Sequence, residues 1–341
     1  MTIAGDASSR STDHATILED HELLRTDAGA VPLQRDVVRV SGTDAVEYLQ
    51  GQLSQDVAAL GVGESADSLI LTPQGKLDAL VRVSRTGDEE LILDVDGGFG
   101  EVVATRLARF KLRVKVVIEP LTWRCVGLRG PHAAAGETAG TSLTATFSWN
   151  GVTGVDLLGE APEIPDGVRL CSVEAWESVR VEAGIPAMGS ELDERTIAAE
   201  ADLLERCVSF SKGCYTGQEL VARLDARGNR VARHLRGLVV VGLASGPSDT
   251  ASGAPIVAPG SEIVSDGKVV GTVTSAAWSP TFGRPVALGY VHRTVAAPSV
   301  VELRAPADGA VDGPVDGRVD GATDGPSVSS VAAEVRTLPL V

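Results

Sequence analysis

Apolar runs of strand length, separated by polar turns, mark most of the chain before residue 160. Short runs of this kind predict buried strands. Two helical patterns interrupt them: one follows residues 41–44, where Asp44 and its neighbours offer N-cap oxygens, and the other covers 97–110. The predicted strands cover residues 37–40, 68–72, 77–84, 90–95, 112–118, 123–128, 144–149 and 152–158.

Turn signals connect these elements. Pro73 and Gly75 predict a tight turn, which makes the two flanking strands a hairpin with Asp78 near the start of its second strand. Asn150-Gly151 predicts a type I′ hairpin turn, and a helix over 173–182 opens at Ser172 and ends at Gly184. Because strands and helices mix without a regular βαβ repeat, the fold class is predicted as α+β.

After residue 233 the helical periodicity disappears and short strand-like runs follow, at 235–241, 263–264, 268–275, 285–291, 300–303 and 331–338. This pattern predicts a small β-barrel or sandwich. Asp-Gly pairs recur every four residues from Asp308 to Gly325. Known calcium loops use another spacing, so we predict a flexible acidic insert over 306–326. Residues 1–16 are predicted to form a mobile tail.

Composition narrows the function classes. The chain has 30 basic and 46 acidic residues, a net charge of −16, which disfavours general binding to nucleic acid or anionic membranes. The sequence contains no apolar run of bilayer length and no secretory signal pattern. Four cysteines without a Cys-x-x-Cys pair suit a reducing, cytoplasmic setting, and five scattered histidines argue against a zinc site.

The stretch 211–219 carries the candidate chemistry. Lys212 and the turn-forming glycines beside Cys214 would favour a thiolate, so Cys214 is either a reactive thiol or a small residue packed in a turn. Residues 206–236 hold seven basic and two acidic residues, a local net of +5, which indicates an anionic ligand or a charge-balancing surface. Arg113 and Lys115 share one strand face, which is either solvated or an anion contact.

The motif at 212–219, Lys-Gly-Cys-Tyr-Thr-Gly-Gln-Glu, resembles the YgfZ branch of the GcvT-like folate-binding family, which is related to the glycine cleavage T-protein, an aminomethyltransferase. The resemblance extends over about residues 30–305 and the final strand. It implies an α+β folate-binding region of two intertwined subdomains over 17–232, followed by a C-terminal antiparallel β-barrel over 233–341.

The resemblance also implies a function: binding of tetrahydrofolate or a derivative in a central cavity, in support of iron–sulfur cluster assembly or maintenance. Iron–sulfur proteins are the implied partners, and a link to tRNA modification stays open. Cys214 would be the functional thiol and Glu182 the pterin anchor, although a salt bridge to Arg180 or another arginine is the ordinary role for such a carboxylate. The other expected ligand contacts are Lys212, Tyr215, Gln218, Arg223 and Arg227, and no metal ligand is expected.

The alternative is a catalytic T-protein, a folate-dependent aminomethyltransferase. That enzyme depends on an aspartate in a hairpin with two adjacent aspartates, where this chain has Asp78 followed by Ala79. Asp78 is therefore the candidate catalytic carboxylate, and the sequence leaves open whether the chain is an enzyme. Both hypotheses expect Cys214, Glu182 and Asp78 to line one cavity.

Overall fold

A computed structural model describes residues 13–134, 139–241, 257–305 and 330–341. Within these ranges two five-stranded sheets and a six-stranded barrel are decorated by short helices. The elements are α1 His14–Thr26, β1 Gly29–Leu33, β2 Arg35–Ser41, α2 Ala45–Gln52, β3 Ser65–Leu71, β4 Leu77–Arg85, β5 Glu90–Asp96, α3 Gly100–Phe110, β6 Val117–Leu121, β7 Arg124–Arg129, β8 Leu143–Trp149, β9 Val152–Gly159, β10 Arg169–Leu170, α4 Val173–Ala183, a 3-10 turn Ala198–Ala201, α5 Leu204–Cys207, α6 Gln218–Asp225, β11 Arg233–Val240, β12 Glu262–Ser265, β13 Lys268–Ser279, β14 Arg284–His292, β15 Ser299–Arg304 and β16 Ser330–Arg336.

The two five-stranded sheets form the first two lobes of the molecule, and their strands are intertwined along the chain. One sheet has the order β3-β4-β5-β2-β6, and the other has the order β10-β1-β7-β9-β8. Strand β1 thus pairs with β7 in the second sheet, although about a hundred residues separate the two strands, while β2 to β6 form the first sheet. The predicted Asn150-Gly151 turn closes the β8–β9 hairpin with both residues at positive φ, 45° and 86°, as a type I′ turn requires.

Buried ion pairs join these two sheets. The Arg82 guanidinium on β4 donates to Asp94 at 2.9 Å and reaches across to Asp156 on β9 at 2.6 Å. Arg129 pairs with the same Asp156 at 2.7 Å. Although burial opposes it, the charges of Arg129 and Arg82 lower the pKa of Asp156 to about 2. The carboxylate therefore stays ionised between two arginines and ties the lobes together.

The third lobe is the closed barrel, with strand order β11-β14-β13-β12-β15-β16. It confirms the predicted C-terminal antiparallel barrel, and with the two intertwined sheets it confirms the α+β fold class. Its core is aliphatic and includes Leu238, Ile263, Val273 and Leu303. The predicted Asp-Gly insert falls outside the described residues.

Two local predictions differ from the structure. Helix α1 begins at His14, inside the predicted tail, because the Asp13 carboxylate accepts the Thr16 N–H at 2.8 Å and caps it. The predicted strand over 112–118 starts only at Val117. Arg113 has a φ of 58°, which ends extended geometry, and the Lys115 N–H donates to the Asp44 carboxylate at 2.7 Å instead of to a strand.

Candidate functional site

Lys212 anchors the motif to the end of helix α2. Its ammonium donates to the carbonyl oxygens of Gln50, Leu53 and Gln55 at 2.7, 2.7 and 2.8 Å. These carbonyls lie at and just beyond the C-terminus of α2, where backbone acceptors lack helical partners and favour a cation. Burial lowers the pKa of Lys212 to about 8, and the charge of Asp56 opposes this shift. Lys212 is thus fully engaged by protein groups.

Two glycines bring the β3–β4 hairpin against the motif. Gly217 has a φ of 85°, and a Cβ there would lie 2.6 Å from the Thr72 carbonyl oxygen. Gly75, at the tip of the hairpin, has a φ of 78°, and its Cβ would lie 2.5 Å from that of Leu220 on α6. Only glycine permits this approach. The turn and the motif, which the sequence assigned to one site, therefore contact each other.

Cys214 differs from the other cysteines in its exposure. Cys125, Cys171 and Cys207 are buried, and Cys214 is exposed with a free thiol. Burial raises the pKa of the Cys171 thiol to about 12 and those of Cys125 and Cys207 further, so these three are poor nucleophiles. Within the described ranges, no group of three His, Cys, Asp or Glu side chains is arranged to hold a metal ion.

The neighbours of Cys214 hold its loop in place. The Tyr215 N–H donates to the side-chain oxygen of Gln218 at 3.1 Å, and the Thr216 N–H donates to the Gly51 carbonyl at 3.2 Å. The Lys212 ammonium lies 5.3 Å from the centre of the Tyr215 ring. Tyr215 and Gln218, which were predicted to contact a ligand, take part here in fixing the loop that presents Cys214.

Asp78, in the second strand of the same hairpin, forms an ion pair with Arg106. The Arg106 guanidinium on α3 donates to its carboxylate at 3.0 Å, to the Leu71 carbonyl at 3.0 Å and to the Gln52 side-chain oxygen at 3.3 Å. Arg106 also lies 3.8 Å from the centre of the Phe110 ring. Asp78 therefore lies near the C-terminal end of α2, as the motif does, with its charge neutralised by an arginine.

Glu182 lies in a different environment, between α1, α4 and the barrel. Its side chain is fully buried and accepts from His21 Nε2 at 3.0 Å, from Thr281 Oγ1 at 3.0 Å and from the Ser279 hydroxyl. Burial opposes ionisation, but these hydrogen bonds lower the pKa of Glu182. The arginine that pairs with Glu182 is Arg25 on α1, at 3.7 Å, whereas Arg180 pairs with Glu177 and Glu191. The structure thus places the Glu182 carboxylate in a network of protein donors from α1 and the barrel.

The basic run also divides in the structure. Arg206 pairs with Asp67 at 2.5 Å and Arg233 pairs with Glu200 at 3.1 Å. The Arg236 side chain lines a cleft. The other three arginines of the run are exposed on α6 and the segment after it, and they form no ion pair with a described residue: Arg223, Arg227 and Arg230.

The cleft that Arg236 lines opens between the second sheet and the barrel, and its volume is about 410 Å³. The β8–β9 hairpin of the second sheet and the end of α4 line one part of the cleft. The 3-10 turn and the segment after it line another part, and the barrel supplies the rest. The lining residues outside the barrel are Trp149, Asn150, Gly184, Ala201, Asp202, Glu205 and Arg206. The lining residues from the barrel and its closing segment are Leu235, Arg236, Thr337 and Leu338.

Charges of both signs line this cleft. The only described hydrogen bond of the Arg236 guanidinium is to the adjacent Leu235 carbonyl, at 3.0 Å. Burial lowers its pKa, and Asp202 opposes this shift. The Arg206 guanidinium lies 4.1 Å from the centre of the Trp149 ring. The Arg236 guanidinium therefore has donors available for a partly anionic ligand, and Asp202 and Glu205 supply two carboxylates as acceptors.

Sequence reasoning missed most of these lining residues. The Asn150-Gly151 signal located the hairpin end where Trp149 lies, and the basic run included Arg206 and Arg236. Nothing in the sequence indicated that Asp202, Trp149 and Arg236 converge, because dozens of residues separate them along the chain.

Comparisons with known proteins agree with this architecture. Residues 240–316 match the family model described as the glycine cleavage T-protein C-terminal barrel domain. The chain is 30% identical over 197 residues to an uncharacterized protein of Haemophilus influenzae, covering 57% of this chain and 68% of the relative. It is 26% identical over 327 residues to an aminomethyltransferase of Rippkaea orientalis, covering 84% and 85% of the two chains. The chain belongs to the GcvT-like folate-binding family.

One solved structure has the same fold over nearly the full length of both chains. The aminomethyltransferase T of the Bartonella henselae glycine cleavage system superposes with a TM-score of 0.73 at 20% sequence identity, covering 95% of this chain and 89% of the other. The three-lobed arrangement is therefore that of the GcvT-like fold. In the described part of the chain, no helix is long and apolar enough to cross a membrane.

Proposed function

We propose that this GcvT-like protein binds a tetrahydrofolate-type ligand in the cleft that Arg236 lines and uses Cys214 to support the assembly or maintenance of iron–sulfur enzymes. The observation that carries the proposal is the presentation of Cys214: its thiol is exposed on a loop that three Lys212 hydrogen bonds fasten to α2. A packing cysteine would be buried, as Cys125, Cys171 and Cys207 are.

The cleft suits the proposed ligand. Its volume of about 410 Å³ lies within the range of small-molecule sites. Arg236 would bind a carboxylate of the glutamate tail, because a guanidinium and a carboxylate form strong paired hydrogen bonds. Asp202 or Glu205 would accept N–H bonds from the aminopyrimidine ring. Glu182 would serve the packing of α4 against α1 and the barrel and would not contact the pterin.

A thermal-shift titration with tetrahydrofolate tests the ligand site. We expect Arg236→Ala to raise the dissociation constant about tenfold or more, since a hydrogen bond to a charged group contributes about 1.5–3 kcal/mol. Arg227→Ala, an exposed arginine of the same run, is the matched control and should bind like the wild type. Loss of binding in Arg227→Ala with normal binding in Arg236→Ala would instead support the contacts predicted from the sequence.

The thiol is tested in cells. A strain that depends on this protein should lose iron–sulfur enzyme activity when it carries Cys214→Ala, while the level of the protein stays normal. Cys171→Ala provides a buried cysteine control that leaves the exposed thiol intact. Normal activity of iron–sulfur enzymes in the Cys214→Ala strain would refute the role of the thiol.

The second candidate is a folate-dependent aminomethyltransferase, which is favoured by relatives of that name covering more than four fifths of the chain. It would require Asp78 to contact the folate, whereas Asp78 pairs with Arg106 at 3.0 Å. Turnover of an aminomethyl donor with tetrahydrofolate by the purified protein, abolished in Asp78→Asn, would establish this activity. A tRNA-related role remains a prediction from the motif.

A further inference from the structure

The segment that joins α3 to β6 has a charge opposite to that of the whole protein. Between Glu101 and Glu119 the sequence holds five basic residues and no acidic one, in a chain of net charge −16. Arg106 is used internally by Asp78. The other four basic side chains are exposed and form no ion pair with any described residue: Arg109, Lys111, Arg113 and Lys115.

Two aliphatic side chains project among these charges. Leu112 is 78% exposed and Val117 is 58% exposed, although both belong to residue types that usually pack inside. We call the six residues 109, 111, 112, 113, 115 and 117 the α3–β6 surface. Arg113 has a positive φ of 58°, so the chain turns there instead of extending β6 toward α3, and Leu112 beside it stays exposed.

We propose that the α3–β6 surface docks an acidic protein partner, whose carboxylates surround an apolar side chain that covers Leu112 and Val117. Protein interfaces combine an apolar centre with a charged rim, which is the arrangement found here. Complementary charge steers encounter and fixes register, and the screening length of about 8 Å lets this local patch act despite the acidic remainder.

The observations favour a protein over the other anionic partners. The surface displays no exposed aromatic side chain for stacking on bases, because Phe110 is half-buried under Arg106. A planar anionic membrane would bring the rest of this acidic protein close to like charge, whereas a compact partner meets only the patch.

The position of the surface connects it to the proposed function, on which this step of the inference rests. Helix α2 has eight residues and is ~12 Å long. Asp44, before its first turn, holds the Lys115 N–H, and the carbonyls at its other end hold Lys212 of the Cys214 loop. A protein docked on the α3–β6 surface would therefore lie within reach of the thiol, as a client of Cys214 must.

Site-specific photo-cross-linking in cells identifies the partner. A photoreactive residue replaces Leu112 in the full chain, and the matched control carries it at Val269, an aliphatic residue 55% exposed on the barrel. We expect a protein joined at position 112 and not at 269, through a segment rich in Asp and Glu. Equal capture at both positions, or dimers of this chain alone, would overturn the proposal.

Binding of the purified partner then measures the surface. We expect the triple variant Arg109→Glu, Lys111→Glu, Lys115→Glu to weaken binding about tenfold or more, and high salt to weaken the wild type, since both remove attraction across the interface. The control Lys268→Glu, Arg293→Glu reverses exposed charges on the barrel and should bind normally. Equal affinity of the triple variant would contradict the proposal.

Two further arms test the competing partners. Vesicles of phosphatidylcholine and phosphatidylserine in equal parts, and a single-stranded oligonucleotide, are titrated with the wild type and the triple variant. Binding to either that depends on the triple substitution would reassign the surface. Folate binding of the triple variant and docking by Cys214→Ala are measured in parallel, and both should be normal, so failure of the docking proposal is distinguishable from failure of the proposed function.

Discussion

The Glu182 cluster and the Cys214 loop use polar groups in opposite ways. The carboxylate of Glu182 is fully buried and holds three protein donors from α1 and the barrel. In the motif, the Lys212 ammonium is bound by backbone carbonyls of the protein, whereas the Cys214 thiol is exposed. A polar residue whose partners are all supplied by the protein stabilises the fold, and one that the protein supports but leaves open is available for chemistry.

Truncating Glu182 is expected to have the largest effect on stability. Glu182→Ala leaves the buried His21 and Ser279 side chains and the Thr281 hydroxyl without their acceptor. Removing one partner of a buried charged network costs about 3–5 kcal/mol of unfolding free energy. Urea denaturation measures this loss, with Glu219→Ala as the exposed carboxylate control. A Glu182→Ala protein that is as stable as the wild type but no longer binds tetrahydrofolate would contradict this prediction, because it would show that Glu182 binds the ligand.

Replacing Lys212 should have an intermediate effect. Lys212→Met keeps the length of the side chain but removes three donors from the α2 carbonyls, and we expect a loss of about 1–3 kcal/mol of unfolding free energy. Proteolysis at the 212–219 segment should become faster because the loop loses its anchor. Arg223→Met, on exposed α6, controls for loss of a positive charge. Unchanged stability and protection of Lys212→Met would show that the carbonyl contacts do not hold the loop.

The pH dependence sharpens this test. In the folded protein the pKa of Lys212 is about 8, below the ordinary value of 10.5, so between these values the unfolded chain binds more protons than the folded one. Folding is therefore favoured as the pH rises through this window. The stability of the wild type relative to Lys212→Met should increase from about pH 8 to about pH 10.5. A constant difference would contradict the lowered pKa.

Cys214→Ala should have the smallest effect on stability. The thiol is exposed, and surface substitutions usually change the unfolding free energy by about 0.5 kcal/mol or less. Alkylation with iodoacetamide under native conditions should modify Cys214 alone, with Cys207→Ala as a control that leaves the count of modified sites unchanged. A large loss of stability in Cys214→Ala, or modification of a buried cysteine before Cys214, would place this thiol with the packing cysteines.

Local sequence signals predicted local structure well. The apolar runs predicted the hairpins, Ser172 caps α4 through the Ala175 N–H, and Gly184 ends it at a φ of 67°. They failed where a distant group decided the backbone. The strand expected over 112–118 begins five residues late because Asp44 takes the Lys115 N–H. Helix α1 was missed because its apolar positions are few and its contacts with α4 lie about 150 residues away.

The fold class, the barrel and the motif that resembles the YgfZ branch could be predicted from the sequence, because they depend on periodicity, turn chemistry and a contiguous stretch of residues. Which polar residues are accessible to a ligand depends on the packing of the folded chain. Glu182 and Arg236 both interrupt apolar patterns. Partners from α1 and the barrel enclose Glu182, whereas Arg236 faces a cleft between the second sheet and the barrel. Exposure depends on what packs against a side chain, and those neighbours are remote in the sequence.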